Sequence, residues 1–235
     1  LGKTASALTV ALHHAIKDNK TILFLTNRHT QHKIAIDTLK EIKKKTDQQF
    51  HCVDLIGKRW MCSQKIAGIF GTDFNEYCKS LVEKGECEYY NKVKQKNELQ
   101  VEAKLHMINI KNQLPLHTEE LIDQTKQQDM CSYEIAIALA KDAKVIIGDY
   151  YYLFNPHVQA SLLKKLEIEL EDIIVIVDEG HNLPNRITEM LSNNLTTYML
   201  KNAMIEAKKF NFHGLIVWLQ GINEILTKLS NFAAS

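Results

Sequence analysis

Two short segments near opposite ends of the sequence carry residue types suited to phosphate chemistry. The chain opens Leu1-Gly2-Lys3-Thr4, the closing residues of a phosphate loop. In a full loop, G-x-x-x-x-G-K-S/T, backbone N–H groups wrap the phosphates, the Lys reaches the β/γ oxygens and the hydroxyl holds Mg²⁺. Gly2, Lys3 and Thr4 stand directly before a helical pattern, and a helix N-terminus favours anions. Far downstream, Ile173-Ile174-Val175-Ile176-Val177 runs into Asp178-Glu179-Gly180-His181. This places two carboxylates at the C-terminal end of an apolar strand, the edge where α/β sheets bind ligands. Asp178 is expected to hold Mg²⁺ through water, and Glu179 to orient or deprotonate an attacking water. His181 is expected to sense the γ-phosphate and pass its state to a neighbouring domain. Together the two segments point to NTP hydrolysis.

Between them lie Cys62, Cys78, Cys87 and Cys131, spaced C-x15-C-x8-C-x43-C, with Cys52 just upstream. Five cysteines is an odd number, and disulfides are the less expected use in an NTPase-like chain. There is no C-x2-C pair of the zinc-ribbon kind. Four thiolates can still converge on one site, and such a set suits zinc or an iron–sulfur cluster; spacing does not choose between them. Cys52, after a His at the edge of this region, reads as ordinary packing.

The elements that must position these groups follow an α/β pattern. Residues 5–18 place Ala, Leu and Val at helical spacing. Thr21-Ile22-Leu23-Phe24-Leu25 is a short strand, residues 26–31 a polar loop, and residues 32–45 a second helix. From residue 53 the character changes: strand-like runs disappear, three cysteines appear, and Lys, Glu, Gln and Asn dominate. Residues 91–113 read as a polar helix with five Lys and two Glu, a local charge of +3. We read 53–131 as an insertion whose small core needs a staple, for which a metal site would serve. The α/β pattern then resumes with a helix over 133–142, a strand over 145–148, Tyr150 to Tyr152 in a loop, and a helix over 158–171. A fully apolar strand of the buried parallel type covers 172–177. From Pro184 onward the chain reads as helical.

The sequence has 235 residues, enough for one full domain with an insertion. Hydrophobic residues make up 45% and charged residues 24%, in the range of soluble globular chains. A net charge of +1 excludes a global polybasic signal, so any nucleic-acid surface must be local. No stretch approaches the roughly 20 apolar residues that span a bilayer. The first residue is Leu and falls inside a motif, so the sequence reads as a piece of a longer chain.

Taken together, these segments resemble the XPD family of superfamily 2 DNA helicases, in an archaeal XPD-like form. The resemblance runs from Leu1 to about Asn185. Leu1-Gly2-Lys3-Thr4 is similar to the end of the first helicase motif, and Phe24-Leu25-Thr26-Asn27-Arg28-His29-Thr30-Gln31 to motif Ia. Leu55-Ile56-Gly57-Lys58-Arg59-Trp60-Met61-Cys62 resembles the approach to the cluster domain. Cys87-Glu88-Tyr89-Tyr90 and Cys131-Ser132-Tyr133-Glu134 resemble the third and fourth ligand motifs. Gly148-Asp149-Tyr150-Tyr151-Tyr152-Leu153 resembles the A-N/D-Y-x-Y-L segment, and Asp178-Glu179-Gly180-His181-Asn182-Leu183 the DEAH box.

The resemblance implies an α/β, RecA-like parallel-sheet motor domain, at 1–52 and 132–188. It implies a mostly helical 4Fe–4S domain at 53–131 and the start of a helical arch domain at 189–235. It implies an ATP-dependent 5′-to-3′ DNA helicase acting in DNA repair, with ATP and Mg²⁺ at Gly2, Lys3, Thr4 and Asp178. Glu179 and His181 complete the catalytic set. The cluster ligands would be Cys62, Cys78, Cys87 and Cys131, of which Cys78 lacks a local motif of its own. Three departures stand out. Gly180 replaces Ala in the box, Lys58 stands where Arg is usual, and a second motor domain with its arginine finger is not in the sequence. The piece alone is therefore expected to be inactive.

Single strands are held by basic grooves and aromatic rings. The DNA-binding candidates are Arg28, His29, Lys58, Arg59 and Tyr150, the last within the run Tyr150 to Tyr152. The expected partners are single-stranded DNA, DNA forks and repair-complex proteins, with no membrane; the protein would be a monomer. It would be cytoplasmic and nucleoid-associated in an archaeon, and nuclear in a eukaryote. Two other readings stay open: a zinc-stapled nucleic-acid-binding module with a degenerate NTP site, and an iron–sulfur helicase of the DinG sort.

Overall fold

The computed structural model describes residues 2–46, 48–64, 71–96, 98–192 and 194–233. Leu1 of the expected phosphate motif, Asn97 of the expected polar helix, and Asn193, Ala234 and Ser235 of the helical tail lie outside the described residues. Contacts divide the chain into two units, Leu1–Met190 and Leu191–Ser235.

In the first unit, α1 (Lys3–Lys17) buries Leu8, Leu12 and Ala15, an i, i+4, i+7 stripe that makes one helical face apolar. Strand β1 (Thr21–Thr26) follows, then α2 (His29–Thr46). The second helix therefore begins three residues before the expected His32, using part of the expected polar loop. Gln31 explains the early start: its side-chain oxygen accepts from the backbone N–H groups of Asn27 and Arg28, which precede the first turn.

Strand β2 (Cys52–Asp54) lies in the same sheet, so Val53 and Asp54 belong to the sheet and not to the insertion, where the sequence reading placed them. Across the expected insertion run α3 (Gly71–Glu83), α4 (Glu88–Val93), strands β3 (Lys94–Gln95) and β4 (Glu98–Leu99), α5 (Val101–Lys111) and α6 (Thr118–Lys126). The expected single polar helix over 91–113 is thus broken by an antiparallel hairpin, in which Lys94 faces Leu99 and Gln95 faces Glu98. Lys96, at a φ of +48°, makes the turn that a continuous helix would forbid.

The α/β pattern resumes with α7 (Ser132–Ala140), all of whose residues are buried, and β5 (Val145–Asp149). Tyr151–Phe154 forms a short helix, α8, where a loop was expected. Next, α9 (Pro156–Leu166) is started by Asn155, whose side chain accepts from Val158 N–H, and by Pro156 in its first turn. Strand β6 (Ile173–Val177) leads to α10 (Leu183–Leu191).

The sheet order is β2-β5-β1-β6, all parallel. Along β1 side chains alternate, as strand geometry requires. Ile22 and Phe24 join α1, α2, Val145 and Ile147 in one core. Leu23 and Leu25 join Val53, Ile146, α7 and the insertion helices in the other. The result is the expected α/β architecture, a sheet covered by helices on both faces. Cys52 is fully buried in the first core. Strand β6 departs from the expected full burial: it pairs only with β1 among the described strands, and its residues are half-buried, with Val175 42% exposed.

The second unit contains α11 (Thr197–Lys209) and α12 (His213–Ala233). Thr196 caps the first of these by accepting from Met199 N–H, and Leu200 and Ala207 are its buried face. No described helix is long and apolar enough to cross a membrane.

One polar knot lies inside the first unit. His32 Nδ1 and Asp54 Oδ1 are 2.5 Å apart and both side chains are buried. Asp54 Oδ2 also accepts from the Thr118 N–H at 3.2 Å, which joins α2, β2 and the start of α6. Asp54→Ala would strand two buried donors and is expected to lower unfolding stability by on the order of 3 kcal/mol. Urea denaturation measures this, and a loss within experimental error would contradict the role.

Candidate functional site

The register of the sheet decides where the acidic residues emerge. Leu25 pairs with Val177, and the Asp178 N–H extends that ladder to Leu25 O at 2.8 Å. Asp178 therefore leaves the sheet at its C-terminal edge. Glu179 follows with φ +50° and ψ +44°, a left-handed conformation, and opens a short 3₁₀ turn over Gly180–Asn182. On the other side, Gly2 at φ +97° turns the chain into α1, and Lys3 and Thr4 form its first turn. Glycine is suited to that backbone because it lacks a Cβ.

These pieces meet. Lys3, Thr4, Asp178, Glu179, Gly180 and His181 line one cavity of about 330 Å³. Gly2 adjoins it in sequence. Burial, and then the neighbouring Glu179, push the Asp178 carboxyl above its ordinary value, while Glu179 N–H and Lys3 pull the other way. His181 Nδ1 lies 3.2 Å from Glu179 Oε2 on an exposed lip, so the imidazole leans on the carboxylate. A cavity with a helix N-terminus, an ammonium, a hydroxyl and two carboxylates matches the chemistry of a metal-bound polyphosphate.

The cysteines come from four separate segments. Cys78 lies within α3, Cys87 and Cys131 stand immediately before α4 and α7, and Cys62 lies in a turn after β2. All four line one cavity, with Lys58 and Gln64 beside them. Among the described residues, no three ligand-type side chains stand close enough to hold a single metal ion. The thiols border a shared space instead of meeting at a point. Burial pushes the Cys62 thiol up, and Cys78 and Cys87 add to this, while a backbone hydrogen bond with Gln64 and the charge of Lys58 oppose it. Burial pushes Cys131 up to about 12.

Two polar partners serve this cavity. The Gln64 amide donates to Cys87 Sγ at 3.3 Å. Burial acts to lower the pKa of the Lys58 ammonium, but Cys78, Glu134 and Cys131 outweigh it and hold the pKa above its ordinary value. Glu134 is itself buried and takes Lys94 Nζ at 2.6 Å and Lys58 Nζ at 3.9 Å. The donor set is all thiol and softly basic, and it fits an iron–sulfur cluster or another thiophilic metal centre.

The strand-binding candidates divide. Arg28 stands between β1 and α2 and His29 is the first residue of α2; both are exposed. His29 lines a separate cavity of about 360 Å³ with His32, Lys33 and His117. Lys58 lines the thiol cavity, whereas Arg59 lies over the Trp60 ring, 5.1 Å from its centroid. Tyr150 is a correction: it is 0% exposed, so neither face of its ring is open to a base. Its hydroxyl instead reaches the backbone carbonyls of Asp178 and Glu179. Sequence reading missed this contact, along with Gln64, Glu134 and the His32–Asp54 pair. A polar residue in an otherwise apolar pattern was the one signal available, at Asp54 within Val53-Asp54-Leu55.

A family model described as DEAD_2 matches residues 24–200. The General transcription and DNA repair factor IIH helicase subunit XPD/RAD3 of Saccharomyces cerevisiae (strain ATCC 204508 / S288c) is 24% identical over 220 residues. That match covers 86% of this chain and 28% of the yeast protein. The Fanconi anemia group J protein homolog of Gallus gallus is 27% identical over 188 residues, covering 79% of this chain and 14% of its own. A solved structure described as XPD_Helicase superposes with a TM-score of 0.58 at 20% identity, over 92% of this chain and 34% of that one. The likeness in structure extends to the RecA-like parallel sheet. The chain spans less than a third of the length of these two protein relatives.

The raised Cys131 pKa has a measurable consequence. Deprotonation is rarer than for an ordinary thiol at neutral pH, so in metal-free protein its alkylation by iodoacetamide should rise about tenfold per pH unit from about pH 8 to about pH 10. Mass spectrometry of the labelled peptide reads this rate, and a plateau near pH 9 would contradict the burial.

Proposed function

The chain belongs to the DEAD_2 family, and from that premise we propose that it is the first motor domain of an ATP-dependent DNA helicase of the XPD type. The full protein would move 5′-to-3′ on DNA and act in repair. Its 4Fe–4S domain would occupy 53–131, apart from the sheet strand that ends at Asp54, and its arch domain would begin near 189. The observation that carries this reading is the single cavity shared by Lys3, Thr4, Asp178 and Glu179, which come from the two ends of the first unit.

In this reading Lys3 binds the β/γ-phosphates, and Thr4 and Asp178 would hold Mg²⁺. Bound there, Mg²⁺ supplies charge that offsets the phosphates. Glu179 positions the attacking water and receives its proton. His181, leaning on Glu179, senses whether the γ-phosphate is present. Closure against a second motor domain would complete the site.

Cys62, Cys78, Cys87 and Cys131 would hold the cluster, which when bound cross-links four segments of an insertion with little core of its own. Lys58 and Gln64 would face it. Arg28, His29 and Arg59 would contact the strand. Single-stranded DNA, forks and repair-complex proteins are the partners that follow, in the nucleus of a eukaryote or on the nucleoid of an archaeon, with the protein as a monomer. The yeast relative, a helicase subunit of a general transcription and DNA repair factor, supports the repair setting.

In the full-length protein, Lys3→Ala is expected to lower DNA-stimulated ATP hydrolysis by about 10²-fold or more, with single-strand binding retained. Undiminished turnover in a phosphate-release assay would contradict the phosphate role. Cys131→Ser is expected to remove unwinding while leaving much of the ATPase; a normal iron content in that variant would refute the ligand assignment.

A further inference from the structure

Two tyrosine hydroxyls, neither in the proposed catalytic set, tie the acidic turn to the segment that leads into the thiol cavity. The Tyr150 hydroxyl reaches Asp178 O and, at 3.0 Å, Glu179 O. These carbonyls belong to the peptide groups on either side of the Glu179 Cα. The single O–H proton is shared between the two, and together with the Asn182 N–H that donates to Glu179 O at 2.9 Å it restrains the backbone rotation at Glu179, and hence the direction of its carboxylate. That grip matters because Glu179 stands at φ +50°, a conformation that residues with a Cβ rarely adopt unless their surroundings impose it. Tyr150 is itself held firmly: its ring is fully buried and its N–H donates to Thr26 O at 3.2 Å.

Two residues on, the Tyr152 hydroxyl donates to Ile56 O at 2.8 Å. Ile56 begins the run Ile56-Gly57-Lys58 that carries Lys58 into the thiol cavity. The Tyr152 ring packs over Gly148, where an added Cβ would come within 2.8 Å of the ring. Between the two hydroxyls lies the start of α8, whose Tyr151 N–H is fastened to Asp149 Oδ1 at 2.8 Å. Residues two apart in a helical turn point to nearly opposite sides. One hydroxyl therefore faces the acidic turn and the other the root of the insertion, with the short start of α8 between them.

We propose that Tyr150 is a positioning residue for Glu179, and that Tyr150 to Tyr152 form a strut transmitting the state of the acidic turn to the insertion. The proposal rests on the reading of Glu179 as the water-positioning carboxylate. A change at the turn on nucleotide binding or hydrolysis displaces the Tyr150 hydroxyl. The displacement passes through the start of α8 to Tyr152 and the Ile56 carbonyl, and so to Lys58. Coupling of this kind is established only by measured interaction between the two ends.

The test uses full-length protein with Tyr150→Phe, Tyr152→Phe and the double variant, each losing one oxygen per site. Tyr150→Phe is expected to lower kcat for Mg·ATP about tenfold with KM within about twofold, since it misdirects a group that acts in the chemical step. Amide exchange should quicken at residues 179–182 and stay unchanged in β1 and β5. Each single variant is expected to reduce the stimulation of turnover by single-stranded DNA about threefold, and the double variant to reduce it no further, as for two links of one chain. Unchanged kcat in Tyr150→Phe, exchange raised across the whole sheet, or losses of stimulation that multiply in the double variant would each overturn the proposal. Glu179→Gln run alongside separates the two levels. If it retains full turnover, the reading of Glu179 itself fails; if it is inactive while Tyr150→Phe is normal, only the strut fails.

Discussion

The hydrogen-bond ladders on the two sides of β1 are the constraint on which the rest of this structure depends. On one side Thr26 is level with Asp149, and on the other Leu25 is level with Val177. The strands therefore end together, and the chain after each is released at the same edge. Asp178 continues one ladder through its N–H to Leu25 O, and Tyr150 continues the other through its N–H to Thr26 O. A slip of one residue would turn every buried side chain to the wrong face and move the carboxylates away from Lys3 and Thr4. The apolar alternation on β1 makes such a slip costly, because Ile22 and Phe24 serve one core and Leu23 and Leu25 the other.

The insertion follows a different logic. Its helices are short, and much of its buried interior is shared with the sheet through α7, whose Ser132 and Glu134 are buried polar residues. At its far side the four thiols share the central space with Phe74, Leu81, Val82 and the rings of Tyr77, Tyr89 and Tyr90. Glu134 brings Lys58 and Lys94 inward, so the β3–β4 hairpin and the approach to Cys62 are drawn to the same helix. A centre held by four sulfurs would close this arrangement, as metal sites do for small domains with too little core.

Much of this was legible in the sequence. The strands at Thr21 and Val145, the helix after Gly2, and the apolar run into Asp178-Glu179 follow from period and from the chemistry of strand ends. The grouping of Lys3 and Thr4 with Asp178, Glu179 and His181 was legible through motif resemblance. What stayed hidden depended on tertiary context. A turn at Lys96 breaks a segment whose composition is that of a polar helix. Strand β6 is as apolar as a central strand, but its burial depends on which neighbours flank it, and composition does not carry that. Tyr150 looked like a stacking residue because aromatic type and loop position suggest exposure; the carbonyls of a distant left-handed turn claim its hydroxyl instead. Lys58 and Arg59 were indistinguishable as neighbours in sequence, and the turn after β2 sends only the first toward the sulfurs.

The central proposal is that the four thiols lining one cavity of the first unit would hold a single inorganic centre, while the fifth packs a core. Iron and acid-labile sulfide analysis of anaerobically purified protein, beside Cys52→Ser and Cys87→Ser, tests it most directly. The account predicts about four irons and four sulfides per chain in the unaltered protein and in Cys52→Ser, with a clear loss in Cys87→Ser. One zinc without sulfide, or equal losses in the two variants, would contradict it.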